Sequence, residues 1–278
     1  MSNTTILEVN EIANKIEVNT IKTNKISQIF ADQKAFIAFL TAGDPTLEKT
    51  EEFILAMADA GADLIEIGIP FSDPIAEGPV IEAANERALS VGTTTDKIFA
   101  MVARVRAKTS IPLVFLTYMN PIFVYGVERF FTACEKVGIN GAIIPDLPFE
   151  EKGEVLSIAH AHQVDVITLI APTSQDRIQM LAKEATGFIY LVSSMGVTGV
   201  RSEIKTDLAA IIADIRQVTQ TPIAVGFGIA TPEQATAISQ IADGVIVGSA
   251  IVRIIAEHGT ASTAPLSDYV RRMKAALV

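Results

Sequence analysis

Two carboxylates stand where acid–base chemistry could be done. Glu66 interrupts the apolar run Asp63-Leu64-Ile65-Glu66-Ile67-Gly68-Ile69-Pro70-Phe71, and Glu77 follows in the turn-rich Ser72-Asp73-Pro74-Ile75-Ala76-Glu77-Gly78-Pro79. An ionised carboxyl buried without partners costs on the order of several kcal/mol, so Glu66 is either ion-paired inside a core or held near neutrality for a task. Glu77 is either an exposed loop acid or the second member of a catalytic pair.

The elements that must position this pair come in repeats. Eight short, β-branched apolar runs occupy residues 36–41, 64–69, 113–118, 142–146, 166–171, 188–193, 223–226 and 244–248. Continuous hydrophobic runs of this kind belong to parallel sheets covered on both faces. Between and after them, segments of helical period are expected over residues 51–60, 95–108, 127–137, 150–162, 176–186, 207–218, 232–241 and 249–257. Thr231-Pro232-Glu233-Gln234 carries an N-cap, a first-turn proline and a glutamine three residues after the cap. Eight strand–helix repeats predict an α/β fold, a single (β/α)8 TIM barrel over residues 34–278, with an open doubly wound sheet as the alternative. Residues 1–33 are read as an N-terminal tail and a short helix capping the bottom of the barrel.

In such barrels the acting residues lie at the carboxyl ends of strands. Here those ends supply Thr41-Ala42-Gly43-Asp44, then Glu66 with residues 71–78, Tyr118-Met119-Asn120, Asp146, residues 171–173, residues 193–199, Gly226-Phe227-Gly228 and Gly248-Ser249. Gly228, Gly248 and Ser249 read as an anion cradle, because glycines let backbone N–H groups approach an oxyanion and a helix starting at Ser249 aims its positive end there. Plain turn geometry would satisfy any one of them alone. Gly196 to Arg201 reads either as a closing loop with glycine hinges or as ordinary surface. Asp44 and Asp146 stand at strand ends where a catalytic acid could act, but they sit in proline-containing turns, where Asp commonly bonds local backbone.

No lysine ends any of the eight runs, which disfavours a Schiff-base mechanism. His160, His162 and His258 fall on or after helices, and no residue set has the look of a metal site. A net charge of −10 argues against nucleic-acid or anionic-lipid partners. The lone Cys134 reads as a small core hydrophobe in a reducing compartment, and the absence of a signal peptide or spanning stretch in the sequence points to the cytoplasm. What remains is metal-free, lysine-free acid–base chemistry on a small phosphorylated molecule.

At these residues the chain resembles the tryptophan synthase alpha chain family. The resemblance covers nearly all of residues 30–275 and rests on Leu40-Thr41-Ala42-Gly43-Asp44-Pro45, Glu66-Ile67-Gly68-Ile69-Pro70-Phe71-Ser72-Asp73-Pro74, Gly196-Val197-Thr198-Gly199, Gly226-Phe227-Gly228-Ile229 and Gly248-Ser249-Ala250-Ile251-Val252. It implies retro-aldol cleavage of indole-3-glycerol phosphate to indole and glyceraldehyde 3-phosphate. It matches Glu66 to the family's catalytic glutamate, which protonates indole C3 and takes a proton from the glycerol hydroxyl. Glu77 matches the second catalytic position, usually an aspartate that accepts the indole N–H, so this chain departs there by one methylene. The resemblance further implies that Tyr190 lies beside the glutamate, that Gly199, Gly228, Gly248 and Ser249 hold phosphate, that Thr198 contacts the second acid, and that Phe39, Leu116 and Ile229 surround the indole. A family arginine in the sixth loop is Ser194 here. The resemblance implies no cofactor in this chain, pyridoxal phosphate in a beta chain partner, an alpha2beta2 complex, and residues 71–73 with Asn120-Pro121 as partner contacts. Two other readings stay open, a free-standing lyase and a weakly catalytic subunit that mainly activates its partner.

Overall fold

The computed structural model describes residues 25–193 and 208–277. In chain order it runs α1 (Lys25–Gln28), β1 (Ala35–Thr41), α2 (Leu47–Asp59), β2 (Leu64–Gly68), α3 (Pro79–Ser90), α4 (Thr95–Arg106), β3 (Leu113–Leu116), α5 (Met119–Tyr125), α6 (Val127–Val137) and β4 (Gly141–Ile143). There follow α7 (Lys152–Ala161), β5 (Asp165–Val166), β6 (Thr168–Ile170), a 3-10 turn (Pro172–Arg177), α8 (Ile178–Lys183), β7 (Ile189–Val192), α9 (Leu208–Arg216), β8 (Ile223–Gly226), α10 (Pro232–Ser239), β9 (Gly244–Val247), α11 (Ser249–His258) and α12 (Thr263–Ala275).

All pairings are parallel, in the order β5-β4-β3-β2-β1-β9-β8-β7-β6. The two ends of that order, β5 and β6, are consecutive in the chain and separated only by Ile167. The Ile167 N–H still donates to the Ala142 carbonyl at 2.9 Å, whereas Thr168 to Ile170 pair with β7. One strand therefore changes partner at Ile167 and closes the cylinder, which gives the expected TIM barrel and removes the open-sheet alternative.

Side chains alternate across each strand. On β1, Phe36, Ala38 and Leu40 face the helices, while Ile37 joins Leu64, Val114, Ile143, Ile167, Phe188, Ala224 and Ile246 inside the barrel. Because both faces are apolar, the strands read as unbroken hydrophobic runs. Each fully buried Leu, Ile or Phe contributes roughly 1.5–3 kcal/mol of transfer free energy. Ile26 of α1 is fully buried in the interior cluster, next to the start of β4, so this helix plugs the amino end of the barrel. The expected tail upstream of it lies outside the described residues.

The Thr231 capping box forms as its spacing requires, with the Thr231 side chain accepting from the Gln234 N–H and the Gln234 side chain returning to the cap backbone. Cys134 is fully buried among the outer core residues. Helices α3, α5 and α12 were not among the expected segments, and the fifth-repeat helix starts at Ile178 because a 3-10 turn takes the residues before it. Among the described residues no helix is long and apolar enough to cross a membrane.

Candidate active site

Strand β2 carries Glu66 into the barrel, in register with Phe39 on β1 and Val114 on β3. Its side chain is 1% exposed, and Oε2 has no hydrogen-bond partner among the described residues. Among the described residues no ion pair compensates it, so none of them supplies the salt bridge of the alternative reading. Burial, and then the charge of Glu77, push the Glu66 pKa up from 4.5 to about 8. Such a carboxyl still carries its proton near neutrality and can give it away.

Glu77 is not the exposed loop acid that its turn-rich setting allowed. It is 6% exposed, because Gly78 and Pro79 turn the chain straight into α3 and fold the loop over the barrel mouth. Asn85 of α3 donates to Glu77 Oε2 at 2.6 Å. Burial raises the Glu77 pKa, while Asn85 and the Tyr118 hydroxyl hold it back by hydrogen bonding to the carboxylate. Tyr118 in turn accepts from the Ala76 N–H at 3.2 Å and stacks obliquely on Phe71, 5.4 Å between ring centroids. Two carboxylates in one cavity thus receive opposite treatment. Among the described residues Glu66 Oε2 is left without a partner, and Glu77 has two.

Both acids line a cavity at the carboxyl end of the strands. Of the residues read from the sequence, Phe39, Leu116, Tyr190, Gly228, Ile229, Gly248 and Ser249 line it as well. Thr198 and Gly199, with the rest of that loop, lie outside the described residues. Burial and the nearby Glu66 charge raise the Tyr190 hydroxyl pKa far above its usual value, so it is a neutral donor or acceptor. The barrel glycines make room for these rings: a Cβ on Gly68 would stand 2.9 Å from the Phe39 ring, and one on Gly226 would stand 2.5 Å from the Tyr190 hydroxyl.

Gly228 has φ +82°, and Gly248 caps α11, which starts at Ser249. The first turn of a helix has N–H groups without intrahelical acceptors, so this corner of the cavity favours an anion. The two strand-end aspartates behave differently from the local capping expected of them. Arg87 of α3 binds Asp44 in a fork, Nε to Oδ1 at 2.8 Å and a terminal nitrogen to Oδ2 at 2.7 Å. Asp146 accepts the Met119 N–H at 2.9 and 3.1 Å and so caps α5 from a neighbouring loop. Both are tertiary struts, because each side chain reaches a helix of a neighbouring repeat.

Sequence reasoning does not single out Asn85 and Ile81, which also belong to this site, and notes Tyr118 and Phe227 only as strand-end positions. Proline at the first position of α3, directly after Gly78, was the available signal for the first two.

A family profile described as "Tryptophan synthase alpha chain" matches residues 27–277. A tryptophan synthase alpha chain from Lactiplantibacillus plantarum is 53% identical over 253 residues, covering 91% of this chain and 96% of the relative. One from Lacticaseibacillus casei is 46% identical, again over 91% and 96%. Among solved structures, a Mycobacterium tuberculosis tryptophan synthase superposes with a TM-score of 0.84 at 32% identity, covering 92% of this chain and 98% of the other. The tryptophan synthase a2b2 complex from Pyrococcus furiosus gives 0.77 at 34% identity, covering 87% and 98%.

Proposed function

Because this chain belongs to the tryptophan synthase alpha chain family, a lyase that cleaves indole-3-glycerol phosphate to indole and glyceraldehyde 3-phosphate, we propose that Glu66 and Glu77 carry that cleavage between them. The observation that carries the assignment is the cavity they share, with Glu66 protonated by burial and Glu77 supported by Asn85 and Tyr118. Glu66 gives its proton to indole C3. The glycerol hydroxyl then loses its proton to the Glu66 carboxylate as the carbon–carbon bond breaks and the aldehyde forms. The acid ends as it began, so turnover needs no other proton carrier. Glu77 accepts the indole N–H and stabilises the positive charge that C3 protonation puts on the ring.

Phe39, Leu116 and Ile229 supply apolar walls for the indole, and Tyr190 lies beside Glu66. The phosphate sits against Gly228, Gly248 and Ser249 at the start of α11; Gly199, assigned to the same cradle, and Thr198, assigned to the second acid, lie outside the described residues. The chemistry uses no cofactor in this chain, and pyridoxal phosphate belongs to a beta chain partner. The protein works in the cytoplasm as the alpha component of an alpha2beta2 complex. Its partner surface is the rim made by the loops after β2 and β3, where Ile75, Phe123 and Val124 are 72%, 73% and 78% exposed. Apolar side chains this exposed on one rim suit a protein contact. The extra methylene of Glu77 is accommodated, since its carboxylate reaches both Asn85 and the cavity, which favours a competent enzyme over a mere activator.

The test is indole release by the isolated chain, then with a beta chain added. Slow release that the beta chain stimulates is expected. Fast release without stimulation would indicate a free-standing lyase, and no release in either condition with beta activation intact would remove the catalytic assignment.

A further inference from the structure

We infer that Ser193 is a positioning residue for the phosphate end of the substrate site, acting through the backbone of Phe227; this rests on reading Gly228, Gly248 and Ser249 as the phosphate cradle. Ser193 follows β7, is 1% exposed and does not line the cavity. It holds the two carbonyls that precede the cradle. Its N–H donates to the Gly226 carbonyl at 3.0 Å, and its hydroxyl donates to the Phe227 carbonyl.

Phe227 needs such a hold. Its φ of +73° lies in the left-handed region that residues with a side chain rarely adopt, and Gly228 follows at +82°. Phe227 is nevertheless a large residue, fixed at its ring by an edge-on contact with Tyr190 at 5.9 Å and at its carbonyl by Ser193. The peptide joining Phe227 to Gly228 is planar and trans, so its C=O and N–H point in opposite directions. Anchoring the carbonyl on Ser193 aims the Gly228 N–H away from β7. Gly228 lines the cavity, and among the described residues its N–H has no acceptor. A free donor with a fixed direction at an anion corner is a binding group. Removing the hydroxyl leaves a part-buried carbonyl without its partner and lets the peptide rotate.

The test compares the native protein with Ser193→Ala and Ser193→Thr, measuring cleavage kinetics and the affinities for glycerol 3-phosphate and for indole by calorimetry. Ser193→Ala is expected to raise KM for indole-3-glycerol phosphate and Kd for glycerol 3-phosphate together, by about tenfold, the loss expected for one hydrogen bond. Indole affinity, kcat and the melting temperature should change little, and Ser193→Thr should recover the phosphate affinity. Unchanged glycerol 3-phosphate binding in Ser193→Ala overturns the inference, as does an equal loss of indole affinity, which would mark a general loosening. If the native protein itself binds glycerol 3-phosphate no better than glycerol, the cradle reading falls first and the role of Ser193 with it.

Discussion

Asn85 Nδ2 and Glu77 Oε2 lie 2.6 Å apart in a buried bond that ties the acid of the second loop to the helix behind it. Helix α3 is itself tied to the first loop through Arg87 and Asp44. The position of the second carboxylate is therefore set through one helix, which Asn85 ties to the acid and Arg87 ties to the first loop.

Asn85→Ala should lower kcat/KM by roughly 10- to 100-fold, since a hydrogen bond to a charged group contributes about 1.5–3 kcal/mol. It should also move the acid limb of the pH profile upward. Asn85 lowers the Glu77 pKa against the effect of burial, so without it Glu77 loses its charge at a higher pH. A pH–rate profile of the variant checks both effects. An unshifted acid limb would show that Glu77 is not the group titrating there.

Glu66 makes two linked predictions. Its folded pKa of about 8, raised from 4.5, should appear as the basic limb of kcat/KM, with activity falling as pH rises through that value. The stability it contributes is fully present below pH 4.5 and declines until pH exceeds about 8, because the unfolded chain ionises first. Glu66→Gln cannot ionise, so it should abolish cleavage, keep substrate binding, and gain stability relative to the native protein between pH 5 and pH 9. The gain is on the order of 4 kcal/mol at most, by the usual 1.4 kcal/mol per pH unit. Urea denaturation of both proteins at the two pH values measures it, and a constant difference would mean that Glu66 is ionised in the fold.

Glu77→Asp tests whether the longer side chain suits this barrel. Shortening it withdraws the carboxylate from Asn85, whose bond is already close at 2.6 Å. A loss of about tenfold in kcat is expected, of the size of one hydrogen bond. A rate gain in steady-state assays would show instead that the extra methylene is a handicap.

Arg87→Met should destabilise the protein by about 2–3 kcal/mol in urea denaturation, because it leaves Asp44 buried without its ion-pair partner. The figure stays below that of a fully buried pair, since the Arg87 side chain is 38% exposed. Adding Asp44→Asn should recover part of the loss. If the double variant is no better than the single one, the cost comes from packing of α3 and not from the unpaired charge.

Much of the barrel was legible because strands buried on both faces leave continuous apolar runs, and Glu66 was legible because it breaks one. The closure was not. The change of partner at Ile167 depends on β4 and β7 meeting across the cylinder, which no local pattern records. Asp44 was read as a turn residue because its partner lies 43 positions away on a helix whose opening, Gly78-Pro79, reads as a turn too. The same oversight hid Asn85 and left Glu77 open between an exposed loop acid and a member of the catalytic pair. Phe227 gave no warning either, since a positive φ at a phenylalanine arises only where Ser193 and Tyr190 already hold it.

The proposed partner surface makes the last prediction. Phe123 and Val124 project from α5, whose start is fixed by Asp146 through the Met119 N–H, so they stand on a braced element. Neither lines the catalytic cavity. Phe123→Asp therefore leaves basal indole release unchanged while placing a charge where an apolar contact is expected. Desolvating that charge and losing a large aromatic should weaken beta chain binding by at least about 30-fold, given the roughly 2 kcal/mol or more carried by central aromatic contacts. Calorimetric titration with the beta chain measures the affinity, and indole release at saturating beta chain shows whether stimulation returns. Unchanged affinity would move the interface away from α5, and a fall in basal release would tie this helix to the catalytic loops instead.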